Sequence, residues 1–468
     1  MASRAPPPSD PKAEEIERAV LGRITPDEAT EQRLVEVLGR LVARAEAVAR
    51  ERSIPVRRCL VAGSAARRTY LRDRMDIDLF LLFPPETPRP DLERFGLDLG
   101  AALLERTETR YAEHPYRRGV FEGFQVDAVP GYAIADPSHP QSAVDRTPFH
   151  QAYLSAHQTP AMIGQVRLAK QFFRALGIYG SEARTAGLSG YLVELLILRF
   201  GSLRALLEEG QGWRIPVRLV STPGAQPRVP EDVALVLDDP VDPGRNVATA
   251  LSRRNLGLLI LAAEEYRARP SARAFELRPP AGLPVAAARA QIEERGTHVA
   301  VVWLPRPELV DDILYPQLRK AERSIADEAS RLGFVGLGTS SAAGTGRVVV
   351  VLEVEHPTVP AVRWQDGPPA GIDRVGSFLG KWTQAGAPVL QGPYVTAEGK
   401  LAVETRRSER RLEPLLAAAI DRLPLGRDLK PAAGATVTVR SLAEEHDDPA
   451  LSVALSDLLE KRLPWLRA

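Results

Sequence analysis

The chain is poor in several features that would place it in particular protein classes. It has one cysteine, Cys59, in 468 residues. This excludes a disulfide framework and a cysteine-rich zinc site, and it fits a reducing compartment. No apolar run approaches the roughly 18–20 residues needed to cross a bilayer, so no membrane association is expected. The opening stretch, MASRAPPPSDPKAEE, lacks an apolar segment and carries acids, which fits neither a secretory signal nor a transit peptide. Lysine is scarce, so nearly all the positive charge is arginine, for which a GC-rich genome is the ordinary source. Net charge is nearly absent as well: 61 Lys+Arg against 60 Asp+Glu leave +1. That excludes an overall basic protein, but not a basic face balanced by an acidic one. At roughly 100–200 residues per domain the length suggests about three domains, in a soluble cytoplasmic protein.

Element patterns divide the chain. Residues 1–11 are Pro-rich and aperiodic and are expected to be disordered. Thr25-Pro26-Asp27-Glu28 reads as a helix start with Thr25 as the cap, followed by apolar residues at helical spacing from Leu34 to Ala45. A short strand at 59–62, a Gly-Ser turn and the strand IDLFLLF at 77–83 follow, then a covering helix at 91–106 and two strands joined by a hairpin at Glu122-Gly123. Residues 147–200 turn helical, 221–232 form a Pro/Gly loop, and 246–267 are expected to be helical again. Beyond a Pro-rich linker, strands alternate with a helix at 315–332. The expected fold class is α+β: residues 12–146 a head with a mixed sheet, 147–275 a mostly helical neck, 276–335 with 390–468 an α+β body, and 336–389 a tail.

The strongest chemical signal is Gly63-Ser64, eleven intervening residues, then Asp76-Ile77-Asp78. Alternate side chains of a strand share a face, so Asp76 and Asp78 project together while Ile77 and Leu79 enter the core. Two such carboxylates repel each other and favour a hard cation between them. Asp127 stands in the apolar strand FQVDAVP, where an unpaired carboxylate is costly. If its strand lies beside that of Asp76 and Asp78, the three can hold two Mg²⁺ ions and stabilise the attacking and leaving oxygens of a phosphoryl displacement. Gly63 would let backbone approach a triphosphate, and Ser64 and Arg67 would donate to its oxygens. The competing reading is that Asp76 and Asp78 are paired with Arg72 and Arg74 beside an ordinary turn.

Gly63-Ser64, Asp76-x-Asp78 and Asp127 resemble the nucleotidyltransferase superfamily of DNA polymerase beta. The chain is similar, more specifically, to the archaeal (class I) CCA-adding tRNA nucleotidyltransferases. The matching stretches include GSAARRTYLRDRMDIDLFLLFP (63–84), YAEHPY (111–116), FQVDAVPGY (124–132), SAVDRTPFH (142–150) and RLAKQFFRALGIYGSEARTAGLSGYLVELL (167–196). Others are DPVDPGRNVA (239–248), RGTH (295–298), LVDDILYPQLRKAERSI (309–325), DGPPA (366–370) and GPYV (392–395). The resemblance implies a polymerase-beta-like head and the addition of C, C and A to tRNA 3′ ends from CTP and ATP. Asp76, Asp78 and Asp127 would be the metal-binding catalytic carboxylates, with two Mg²⁺ ions, and Asp127 would also help deprotonate the tRNA 3′-hydroxyl. Gly63, Ser64, Arg67, Thr147, His150, Lys170 and Tyr179 would contact the nucleotide, and Arg245 would help read its base. The C-terminal half would hold the acceptor and T arm of tRNA, and a homodimer is the family tendency. Arg68 departs from the small residue or Asn expected there, 183–187 and the 221–232 loop look non-standard, and 336–346 matches weakly.

Another template-independent transferase, such as a poly(A) polymerase, is the alternative; the C-terminal matches argue against it. Basic residues recur in segments expected to face RNA: Arg67, Arg68, Arg72 and Arg74, then Arg319, Lys320 and Arg323, then Arg406, Arg407, Arg410 and Arg411. A polarised surface is therefore expected despite the +1 total. Filter binding of tRNA should show affinity falling steeply, by orders of magnitude, between about 50 and 200 mM salt; a flat salt response would contradict that surface.

Overall fold

Asp10 opens the first helix: its side chain accepts from the N–H groups of Lys12 and Ala13, and Pro11 takes the first helical position. Residues 10 and 11 thus fall outside the disorder expected for 1–11. The computed structural model describes residues 10–111, 113–279, 281–430 and 437–467, so the remainder of that stretch, 1–9, lies outside the described residues. Helix α1 (Pro11–Ile24) ends at Thr25, where the sequence had suggested a start. The cap of α2 (Glu28–Glu51) is Asp27 instead, accepting from the Thr30 N–H at 2.8 Å. A full carboxylate charge suits the positive end of a helix better than a hydroxyl does.

The described chain forms two units, Met1–Pro279 with Leu463–Ala468 and Pro280–Arg462. In the first, β1 (Arg58–Ala62), the one-turn helix α3 (Gly63–Arg67), β2 (Ile77–Phe83), α4 (Arg89–Leu103), β3 (Glu105–Tyr111), β4 (Pro115–Phe121) and β5 (Phe124–Tyr132) build the head. Its five-stranded sheet has the order β1-β2-β5-β4-β3 and is antiparallel except for β2 against β5. The covering helix ends at Leu103, not 106, because Glu105 and Arg106 belong to β3. That strand, ERTETRY, is a charged sheet edge with no apolar alternation, which hid it from sequence reading.

Strand β2 is apolar on both faces. Ile77, Leu79 and Leu81 are fully buried against Leu34, Val37 and Leu41 of α2 and Leu92 and Leu99 of α4. On the opposite face Phe80 and Leu82 pack with Ala62. Each such large apolar side chain contributes about 1.5–3 kcal/mol by leaving water. Only the N-terminal end of that second face stays open, and Asp78 stands there.

The helices α5 (Thr147–His157), α6 (Pro160–Ala175), α7 (Gly190–Phe200) and α8 (Leu203–Gly210) follow, then the short strands β6 (Val217–Arg218), β7 (Leu235–Val236), β8 (Asp238–Asp239) and β9 (Asp242–Asn246), and finally α9 (Arg253–Ala268). A second core gathers Phe172, Phe173, Leu192, Leu196, Leu206, Leu256 and Tyr266. The last helix begins seven residues later than expected. Ser252 caps it by accepting from the Asn255 N–H, and Asn246 closes a strand instead.

In the second unit, α10 (Val285–Arg295), β10 (His298–Pro305), α11 (Asp311–Leu332), β11 (Gly336–Ala343) and β12 (Arg347–Val354) lead into β13 (Val362–Pro369), α12 (Val375–Thr383), β14 (Val389–Val395), β15 (Lys400–Arg406), α13 (Leu412–Ala417), β16 (Thr438–Ser441) and α14 (Pro449–Leu459). One sheet has the order β11-β12-β10-β16 and the other β13-β15-β14. In β10, Ala300, Val302 and Leu304 face Leu314, Leu318 and Ile325 of α11, while Val299, Val301 and Trp303 face Leu451 and Leu455 of α14. Strict alternation thus covers both faces of the larger sheet with helices. Residues 336–354, expected in the tail, are strands of that larger sheet, and the smaller sheet spans 362–406.

Candidate active site

The parallel pairing of β2 and β5 sets Asp78 directly beside Asp127. Asp76 precedes β2 by one residue, and all three carboxylates line one cavity of about 300 Å³ with Ser64, Arg74, Arg118, Lys170 and Tyr179. Gly63 has φ +71°, and a Cβ there would overlap Asp78 Oδ2. The glycine is therefore required by the carboxylate as well as by the turn into α3.

The outer two carboxylates have cationic partners. Asp127 receives a two-pronged pair from Arg118, Nε to Oδ1 at 2.6 Å and a terminal nitrogen to Oδ2 at 2.9 Å. Asp76 has Arg74 Nε at 3.7 Å on the exposed side, which is the part of the competing salt-bridge reading that holds. Arg72 instead donates to the Thr25 carbonyl. No cation pairs with Asp78 among the described residues. Burial, then the Asp127 and Asp76 charges, push its carboxyl up to about 7. Among the described residues no three metal-ligating side chains stand close enough to form a ready cage, and Asp127 turns both oxygens to Arg118. The donor set nonetheless fits a hard divalent cation: carboxylate oxygens on one face, one of them lacking a counter-charge.

Below the cavity Glu194 organises two expected phosphate contacts. It accepts from Arg67 Nε at 2.6 Å, Thr69 Oγ1 at 2.6 Å and Lys170 Nζ at 3.3 Å, and its side chain is 1% exposed. Burial alone would raise its carboxyl, but Lys170 and Arg67 hold it below the ordinary value. Arg67, also bonded to Gln151, does not line the cavity; Lys170 lines it. Arg68 sits in the left-handed region at φ 58° and pairs with Glu31, which Arg167 also holds.

His150 and Arg245 lie apart from the cavity lining and meet at Asp239. Its Oδ2 accepts from His150 Nε2 at 2.8 Å and from Arg245 at 2.9 Å, and its Oδ1 from Tyr191 at 3.0 Å. Tyr191 also stacks on His150 with centroids 4.0 Å apart. Arg245 belongs to β9, not to a loop before a helix. Thr147 opens α5, and the turn before it is held by a box between Ser142 and Asp145. Sequence reading did not single out Arg118, Glu194, Tyr191 or Asp239. Glu194 carried a usable signal, a lone acid in the apolar helix GYLVELLILRF; Asp239 stood inside a quoted stretch without a role; Arg118 had no signal.

Three family models match in order along the chain: "Nucleotidyltransferase domain" over 44–150, "tRNA nucleotidyltransferase, second domain" over 164–276 and "CCA-adding enzyme, C-terminal domain" over 295–441. The CCA-adding enzyme of Halobacterium salinarum is 40% identical over 398 residues, 84% of this chain and 86% of that protein. The chain belongs to the CCA-adding enzyme family. The CCA-adding enzyme of Methanosarcina acetivorans is 34% identical over 92% of this chain and 94% of that protein. E. coli CdnC with ATP (TM-score 0.43, 17% identity, 56% of this chain and 94% of that one) is a distant structural likeness. A cytoplasmic RNA terminal U-transferase (0.43, 14%, 57% and 99%) is another, and neither adds to the assignment. The enzyme is a tRNA nucleotidyltransferase, and the poly(A) polymerase alternative is not favoured. Nucleotidyltransferases of its superfamily generally use divalent metals. No helix among the described residues is long and apolar enough to cross a membrane.

Glu194→Ala would leave Arg67 and Lys170 as buried, uncompensated cations. Urea unfolding should show a loss of about 3–5 kcal/mol, and wild-type stability would contradict the central role of this carboxylate.

Proposed function

We propose that Asp76, Asp78 and Asp127 are the catalytic carboxylates for addition of C, C and A to the 3′ end of immature or damaged tRNA from CTP and ATP. The observation that carries this reading is their common cavity, with Asp78 and Asp127 side by side and Asp78 without a counter-cation. Held by these residues, two Mg²⁺ ions would supply charge neutralisation and polarisation at the reacting phosphate. Asp127 helps deprotonate the tRNA 3′-hydroxyl, directly or with metal assistance, for attack of that oxygen on the α-phosphorus; diphosphate leaves. Ser64, in the turn behind Gly63, donates to phosphate oxygens. Lys170 contributes its charge from the cavity floor, and Arg67 acts behind it through Glu194. Tyr179 bounds the cavity as a sugar contact.

Arg245 and His150, with Thr147 at the start of the same helix, form the base and triphosphate side. A guanidinium fixed on Asp239 presents its remaining donors in one orientation, which suits selection of a base edge. The second unit, with the "CCA-adding enzyme, C-terminal domain" match, is the tRNA-holding half, for the acceptor and T arm. The head takes 12–146 and the neck 147–275 of a cytoplasmic homodimer, and the tRNA-binding body and tail lie beyond, with 336–354 in the body's sheet rather than the tail.

A trimmed tRNA lacking its terminal CCA should gain C from CTP alone and then A once ATP is added; long A-tails or no C addition would reject the reading. Asp76→Ala with Asp78→Ala should abolish Mg²⁺-dependent incorporation while leaving tRNA binding largely intact, since binding is mainly a phosphate effect. Arg245→Ala should damage nucleotide selection and rate more than tRNA affinity, read by incorporation of each NTP against filter binding. A pure loss of tRNA binding would overturn its assignment.

A further inference from the structure

Asp127 already has a cation. Arg118 stands opposite it on the neighbouring antiparallel strand, register partner to register partner, and its guanidinium covers both carboxylate oxygens. The arrangement is rigid for a surface arginine: Arg118 is 30% exposed and Asp127 12%, and both belong to strands inside the sheet. The fork lies in the cavity wall, beside the Asp78 carboxylate, with which no cation pairs among the described residues. A two-pronged arginine–carboxylate pair engages one lone pair on each Asp127 oxygen and sets a fixed guanidinium charge beside the others. A divalent cation that takes Asp127 as a ligand must therefore share those oxygens with the guanidinium against its charge, or displace it from one of them.

We propose that Arg118 is a positioning residue that holds Asp127 in place as an internal counter-ion and competes with divalent metal for it, so that metal affinity in the nucleotide-free enzyme is held down by this one side chain. This rests on the reading of Asp127 as a metal ligand. In its physical consequence, Arg118 protects the sheet from two adjacent uncompensated carboxylates when the cavity is empty of cation. Exchange of the guanidinium for a metal then couples loading of the site to release of an arginine into the same cavity, where anionic phosphate would be its next partner. Arg74 is the natural comparison. It faces the same cavity but comes no nearer to Asp76 than 3.7 Å and is 61% exposed.

The test is direct Mn²⁺ binding to the full-length protein without nucleotide or tRNA, read by electron paramagnetic resonance of free Mn²⁺ and by calorimetry. Arg118→Gln should bind Mn²⁺ tighter by about tenfold, an ordinary size for coupling between two ligands of one site. Arg118→Lys, which keeps the charge without the fork, should fall between wild type and Arg118→Gln. Arg74→Gln should change affinity much less. Equal gains in Arg118→Gln and Arg74→Gln would reduce the effect to general charge and overturn the proposal. So would unchanged or weaker binding in both Arg118 variants while Asp127→Asn loses binding. Wild-type Mn²⁺ affinity in Asp127→Asn would instead overturn the metal-ligand reading beneath it. Near-ultraviolet circular dichroism identifies a misfolded Arg118→Gln, in which case Arg118→Lys alone decides: no gain in affinity overturns the proposal.

Discussion

Two carboxylates held side by side on a parallel strand pair are the constraint around which the head is arranged. Asp78 and Asp127 repel each other, and the sheet supplies the restoring force: β2 is buried on both faces, and its partner strand is in the middle of five. Apolar packing worth several kilocalories per strand tolerates a local repulsion that an exposed loop would relax away. The surroundings then follow. Gly63 has no side chain because the Asp78 oxygen occupies the place of its Cβ, Arg118 neutralises one member of the pair, and Asp78 is left with its carboxyl raised.

Charge balance continues beneath the cavity. Arg67 and Lys170, both expected at phosphate, are anchored by the single buried Glu194, and Thr69 completes its hydrogen bonding. One carboxylate thus fixes two cations drawn from α3 and α6. Asp239 does the same for His150 and Arg245, with Tyr191 stacked against the imidazole. In both places a side chain expected to touch substrate is oriented by a buried acid, the usual way to keep long cationic side chains from sampling many rotamers. The near-zero net charge of the chain sums such opposed pairs and says little about its partner.

The legible parts of the sequence were those whose signal is local. The strand at 77–83 has the limits read from IDLFLLF, and the hairpin at Glu122-Gly123 joins the two strands expected around it. Elements with mixed or charged patterns were missed or displaced. The disorder expected for 1–11 reaches only the first residue of α1, the helix expected to 106 runs two residues into β3, and the helix expected from 246 starts on the last residue of β9. In each case the deciding partner is distant: α1 packs on α6, β3 pairs with β4, and β9 closes on β8.

Asp76 and Asp78 could be picked out from sequence by their alternate spacing at the head of an apolar run, Asp127 because a carboxylate inside an apolar strand is costly, and the family resemblance rested on contiguous stretches of chain. Which of them stand together, and which cation each one meets, could not be read that way. Arg118 is nine residues from Asp127 and Glu194 is 127 residues from Arg67; only strand register and helix packing bring their charges within hydrogen-bonding distance. The sequence determined the kinds of groups available. The tertiary structure decided their pairing, because electrostatic partners are chosen by distance in space and the chain carries no local mark of it.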